Sequence, residues 1–135
     1  MAKGPLYGVN IIADEYAIAN GAIPVYRAVC RDAVDATTQG RTCLLPASAT
    51  TPFFGAANNL IAAASGDQVH VIKAGRAIGT AGAAVSRGAM LKLTTAGKLV
   101  TASADKEQVV GIAEEDAGAD GDFFTYTIRV FTLSV

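Results

Sequence analysis

The residues that could do chemistry are few: one histidine, His70, two cysteines, Cys30 and Cys43, and one carboxylate cluster, Glu114-Glu115-Asp116 with Asp120 and Asp122. A histidine triad or a zinc centre needs several such groups converging. His70 lies in QVHVIK, where apolar and polar residues alternate, and a related later stretch carries Thr125 at the same place, so an outward strand residue is expected. DAGADGD has the composition of a calcium loop but lacks the EF-hand spacing and its terminal Glu, and a solvated turn is the reading. No GxxxxGK[ST] phosphate loop occurs, and the glycines from Gly79 to Gly88 do not form GxGxxG between a strand and a helix. Cys30 and Cys43 flank a turn expected around Asp35 to Gln39; in a reducing cytoplasm they are expected as free, buried thiols. No catalytic residue, cofactor or metal site is expected, and the chain does not read as an enzyme.

The elements that would position any site come in two versions. TTQGRTCLLPASATTPFFGAA, Thr37 to Ala57, returns in diverged form as TTAGKLVTASADKEQVVGIA, Thr94 to Ala113. Gly66-Asp67 before VHVIK matches Gly121-Asp122 before FTYTIRV, and GAIPVYRA from Gly21 is like GAAVSRGA from Gly82, which sets Arg27 beside Arg87 in a structural or interfacial role. This is an internal duplication within one domain: an arm and first strand over residues 1–20, then copy one over about 21–78 and copy two over about 82–135. Strands are expected at Ile23 to Val29, Arg41 to Leu45, Pro52 to Ala57, Gln68 to Lys73 and Phe123 to Val135, with a hairpin from Met90 to Ala102. Gly40, Gly97, Gly66 and Gly121 are the expected tight turns. Ala57 to Ser65 holds good helix formers and suits one or two helical turns, and Gly75 to Gly88 suits a crossing between the copies. In the last strand Phe124, Tyr126, Ile128 and Val130 form the expected inward set. Short strands punctuated by glycine give an all-β fold, a double-sheet jelly-roll-like sandwich or a small barrel.

Length and composition bound the rest. A chain of 135 residues is one domain and can bury a substantial core. It is 51% hydrophobic and only 17% charged, so much apolar surface should meet a partner. A formal net charge of -1 removes the attraction to phosphate backbones, and nucleic acid is not an expected partner. Thr42 to Gly66 carries no charge but is broken by Pro46, Pro52 and Gly55, so a membrane span is not expected either. MAKGPLYGVN has no apolar core of signal-peptide length, and the protein is expected to stay where it is made. The expected partner surface lies at the chain ends: Lys3, Leu6 and Tyr7 in the opening arm, and Phe131, Leu133 and Val135 in the last strand, where both faces are apolar.

The order GAAVSRGAMLKLTTAGKLVTA, then VVGIAEE, then GDFFTYTIRV resembles small bacteriophage capsid cement (decoration) proteins. The resemblance spans most of the chain. It implies a non-enzymatic virion protein, made in the host bacterial cytoplasm, that binds the outside of the head and bridges neighbouring major capsid protein subunits against internal DNA pressure. It also implies a homo-oligomer, a dimer presenting the same patch twice. A glycan- or other ligand-binding β-sandwich module is the alternative; such a module would be expected to show tryptophan or tyrosine platforms, and the chain has no tryptophan.

Overall fold

The computed structural model describes residues 9–32 and 42–135. Nine strands follow one another: β1 (Asn10–Ala19), β2 (Ala28–Arg31), β3 (Thr42–Leu44), β4 (Gly55–Ala57), β5 (Gln68–Thr80), β6 (Met90–Leu93), β7 (Leu99–Thr101), β8 (Gln108–Ala113) and β9 (Phe123–Thr132), with no helix among the described residues. The fold is all-β. The strands form one mixed sheet in the order β1-β3-β2-β4-β5-β9-β8-β6-β7, and β1 also pairs with β5. That extra pairing closes β1, β3, β2, β4 and β5 into a ring. Strands β5, β9, β8, β6 and β7 make a second ring, closed by the parallel bridge between Ala81 and Leu99. Closure leaves backbone groups paired that an open sheet would leave exposed at its edge.

The same hydrogen bonds recur in both rings. Ala19 N–H donates to Asp67 O and Gly66 N–H to Ala19 O, as Ala81 N–H donates to Asp122 O and Gly121 N–H to Ala81 O. Ile23 bridges Ala63 as Val85 bridges Ala117. Asp67 Oδ2 accepts from Ala64 N–H as Asp122 Oδ2 accepts from Ala119 N–H. Each Gly-Asp turn thus satisfies its own backbone donors before the chain enters the long strand that follows.

Four sequence expectations change. Ile23 to Val29 is not one strand: Tyr26 stands at a φ of +54°, so the chain turns there and β2 begins at Ala28. Ala57 to Ser65 is not helical. Asn59 Nδ2 donates to the carbonyls of Ile23, Pro24 and Ile61, and the Ile23–Ala63 bridge holds the segment extended. Gly75 does not start a crossing; β5 runs through it to Thr80, because a residue without Cβ lets the Asn10 carbonyl of β1 lie against the strand. In β9, three residues of β8, Val109 to Gly111, lie opposite four of β9, Ile128 to Phe131. The extra residue reverses the alternation, so Phe124 and Tyr126 point inward while Val130 is exposed and Leu133 is buried.

The register also corrects the alignment of the copies. Ile23 corresponds to Val85, so Arg27 answers to Ala89 and Arg87 to Val25. Arg27 Nη1 donates to Ala96 O at 2.8 Å, in the hairpin of the second ring, while Arg87 makes its turn contact through its backbone N–H to Asp116. Burial lowers the Arg27 pKa, with the nearby Asp120 charge working against that shift. Cys30 and Cys43 are free and buried, and burial pushes both thiols up to about 11. Cys43 pairs across the sheet with Arg31, not with Cys30, and the two sulfurs belong to different core clusters.

Side-chain and turn contacts latch the rings together. The Gln108 side chain accepts from Phe53 N–H at 2.9 Å and donates to Thr51 O at 2.9 Å. The Thr94–Lys98 turn docks on β2, with Ala28 N–H donating to Gly97 O. A Cβ on Gly97, which has a φ of +73°, would stand 2.7 Å from Ala28 O and 2.8 Å from Leu45. Gly121 has a similar φ of +91° but open space around it. Gly121→Ala should therefore cost roughly 1–2 kcal/mol from backbone strain alone. Gly97→Ala should cost about 3 kcal/mol or more, because strain and overpacking combine. Urea unfolding of both variants checks the ranking, and equal losses would contradict the docked turn.

Glu107 organises the turn before β8. Its Oε1 accepts from Ala104 N–H at 2.7 Å and Ser103 N–H at 3.0 Å, and Lys92 Nζ donates to Oε2. The Lys92 bond first, then the two backbone donors, holds the carboxyl at about 2 against its ordinary 4.5. A carboxylate depressed on folding stabilises the native state above its unfolded pKa, and that contribution disappears as pH falls through the folded value. The melting temperatures of the wild type and Glu107→Gln should stay apart above pH 4.5 and converge as the pH approaches 2. A gap of constant size across that window would show that the carboxylate charge does not matter.

Candidate functional site

The carboxylates that drew attention in the sequence are turned to separate structural tasks. Glu114 Oε2 accepts from Thr127 Oγ1, Glu115 Oε1 from Thr125 N–H, Asp116 Oδ1 from Arg87 N–H, and Asp122 Oδ2 from Gly118 and Ala119 N–H. Asp120 pairs with Lys98 at 2.8 Å, and that bond holds its carboxyl below the usual range. Among the described residues no group of three or more histidine, cysteine, aspartate or glutamate side chains is disposed to hold a metal. His70 lies on β5 with its ring 5.1 Å from that of Tyr16; Nε2 is 2.5 Å from Asp14 Oδ2 and Nδ1 is 3.4 Å from Asn58 Nδ2. This is a cross-strand surface cluster in which Asp14 and Asn58 face the two ring nitrogens of His70.

Of the expected partner-facing residues, Lys3, Leu6 and Tyr7 lie outside the described residues, as does the expected turn at Gly40. Leu133 is 5% exposed and packs with Ala102 and Val109, so its side chain is core. Phe131 is half-buried against that cluster, with the Arg129 guanidinium 5.9 Å from its ring centroid, and Val135 is exposed. The larger exposed apolar side chains lie elsewhere: Ile11, Ile12 and Tyr16 along β1, and Leu60 and Ile61 in the loop before β5. Ile12 and Ile61 are 75% and 81% exposed. In the register of β1 on β5, Ile12 and Lys73 are the extra residues at two irregularities, which throw both side chains outward.

Beside Lys73 is a groove that combines apolar and charged walls. It holds about 440 Å³ and is lined by Arg31, Thr51, Pro52, Phe53, Phe54 and Lys73. Phe54 forms part of the first ring's core, and the Arg31 guanidinium lies over it, 4.0 Å from the ring centroid, with Lys73 Nζ at 5.6 Å. Both cations converge on Glu15 Oε1, Arg31 at 3.2 Å and Lys73 at 3.0 Å. The Lys73 hydrogen bond, with the Arg31 and Lys73 charges, keeps the Glu15 carboxyl below its ordinary range despite some burial. The arrangement offers an aromatic floor and fixed positive charge, which is binding chemistry.

The sequence did not single out Arg31, Phe54, Lys73 or Glu15 as a group, because they come from four separate segments and meet only when the ring closes. The available signal was the comparison of the copies. By the strand registers, the second ring places Ala77, Leu93, Val110 and Ile128 where the first has Glu15, Arg31, Phe54 and Lys73.

Among solved structures, the chain is similar to the head fiber gp8.5 N base of bacteriophage phi29, with 21% identity and a TM-score of 0.67 over 91% of this chain and 98% of that one. At this identity the likeness concerns the fold. Comparison with curated proteins gives no match. The sequence profile described as phage cement protein matches residues 12–130, from within β1 to within β9. That span includes both rings, the latches between them and the groove, and it makes the protein a structural component of a phage virion. The chain belongs to the phage cement protein family.

Proposed function

We propose that the protein binds the outer surface of the assembled phage head and cements neighbouring major capsid protein subunits, without catalysing a reaction. The observation that carries this reading is the family match over residues 12–130. The physical character of the surface supports it. Exposed Ile12, Leu60, Ile61, Val130 and Val135 are apolar groups that a protein contact would remove from water. A cement protein occurs in many copies, so each contact can be of ordinary size, roughly 800 Å² per partner. The protein is made in the host cytoplasm and joins the virion as a homo-oligomer, a dimer presenting its contact patch twice.

Empty heads of the matching phage, mixed with purified protein, test this directly. Saturable co-sedimentation is expected, together with heads that withstand higher temperature before releasing their contents when loaded with DNA. No binding at micromolar protein would refute the reading.

A further inference from the structure

We infer that the groove of Arg31, Pro52, Phe53, Phe54 and Lys73 receives a segment of the shell protein that carries carboxylates next to an apolar side chain. The inference rests on the proposed binding to the head and names the surface that does it.

In the second ring the same end is already occupied. Ala77, Leu93 and Val110 are buried there in one cluster with Ala28, Cys30, Ala56 and Ile72 of the first ring, and Phe53 and Ile128 pack against it. One ring therefore lays strands β2, β4 and β5 over the end of the other. At the covered end every corresponding side chain is apolar. At the uncovered end of the first ring the positions hold Glu15, Arg31, Phe54 and Lys73, and about 440 Å³ of space remains over Pro52, Phe53 and Phe54. The site is thus a docking position of the fold that lies open among the described residues, continuous with an interface the molecule makes internally.

Its charge selects the occupant. Lys73 has three N–H donors and a side chain 39% exposed, so it can keep Glu15 and still meet a second carboxylate. The Arg31 guanidinium is stacked on Phe54 beside it and adds fixed positive charge to the wall. A second copy stacked head to tail suits the site poorly. The residues corresponding to Ala28, Cys30, Ala56 and Ile72 in its second ring are Met90, Lys92, Ile112 and Thr127, so the apolar face of the internal interface is replaced there by one that carries the Lys92–Glu107 ion pair. An ion pair brought into a closing contact is costly to desolvate, which disfavours that stacking. An acidic segment with an apolar tip meets both the floor and the cations.

Two variants on exposed parts of the groove provide the test, with empty heads as the probe. Lys73→Glu reverses the charge beside Glu15, and Pro52→Asp places a carboxylate on the floor without touching the Arg31–Glu15 pair. Each should weaken head binding by about tenfold or more while the melting temperature stays close to wild type. Added salt should weaken the wild type more than Lys73→Glu. If Lys73→Glu is itself unstable, Pro52→Asp decides. Wild-type binding with both variants unaffected would overturn the groove and leave the cement reading standing; absence of wild-type binding would overturn both. Wild-type oligomers that disappear in Lys73→Glu, seen by sedimentation velocity without heads, would make the occupant a second copy and overturn the acidic segment.

Discussion

Everything in this molecule depends on strand β5 closing two rings at once. Its first half pairs with β4 and β1, and its end pairs with β9 from Arg76 to Thr80. Thirteen residues suffice because the handover falls where β1 also ends its pairing, at Asn10 opposite Arg76. Gly75 sits beside that handover, where the backbones of β1 and β5 come too close for a Cβ. A strand committed on both edges cannot slip by one residue without breaking pairs in both rings. The register of one half therefore fixes the register of the other.

The interiors show how two diverged copies fill the same frame. The first ring has Val69 and Val71 where the second has Phe124 and Tyr126, but it has Phe54 where the second has Val110. Bulk has moved from one strand to another with its total roughly kept, the kind of exchange that cores tolerate. The larger Tyr126 then sets its own demands. A Cβ on Gly79 would stand 2.9 Å from its ring, and the first ring places Ala17 at that position, opposite the smaller Val69. Shifting the aromatic out of β4 in the second ring also removes the platform on which Arg31 rests in the first.

The fold was legible in the sequence where local chemistry and repetition agreed. The Gly66-Asp67 and Gly121-Asp122 turns, the hairpin about Gly97 and the all-β character follow from glycine placement and alternation. What escaped were features fixed by tertiary bonding. Tyr26 adopts a left-handed conformation in which its copy has Gly88, and no side-chain preference announces that. Asn59, binding three carbonyls, overrides the helix propensity of the alanines after it. The extra residue in β9 exchanged inside for outside and turned Leu133 from an expected contact into core. The groove was hidden for a related reason: its four side chains are unremarkable singly and gain meaning only when the ring brings them over Phe54.

The contrast between the two ring ends also bears on how rings associate. An apolar end like that of Ala77, Leu93 and Val110, left open, would invite another ring, and copies would add without limit. Repeat folds avoid this by giving the outermost unit a polar face. Here the face is made by Arg31, Glu15 and Lys73 over a retained aromatic. Exposed ion pairs of this type contribute little stability, so their presence is better explained by what they exclude than by what they hold. They keep the aromatic floor from binding an apolar sheet, yet leave it reachable by a partner whose own carboxylates replace the water around the cations. A capping face and a selective docking site are then the same four residues, read first against the protein's own copy and then against a different one.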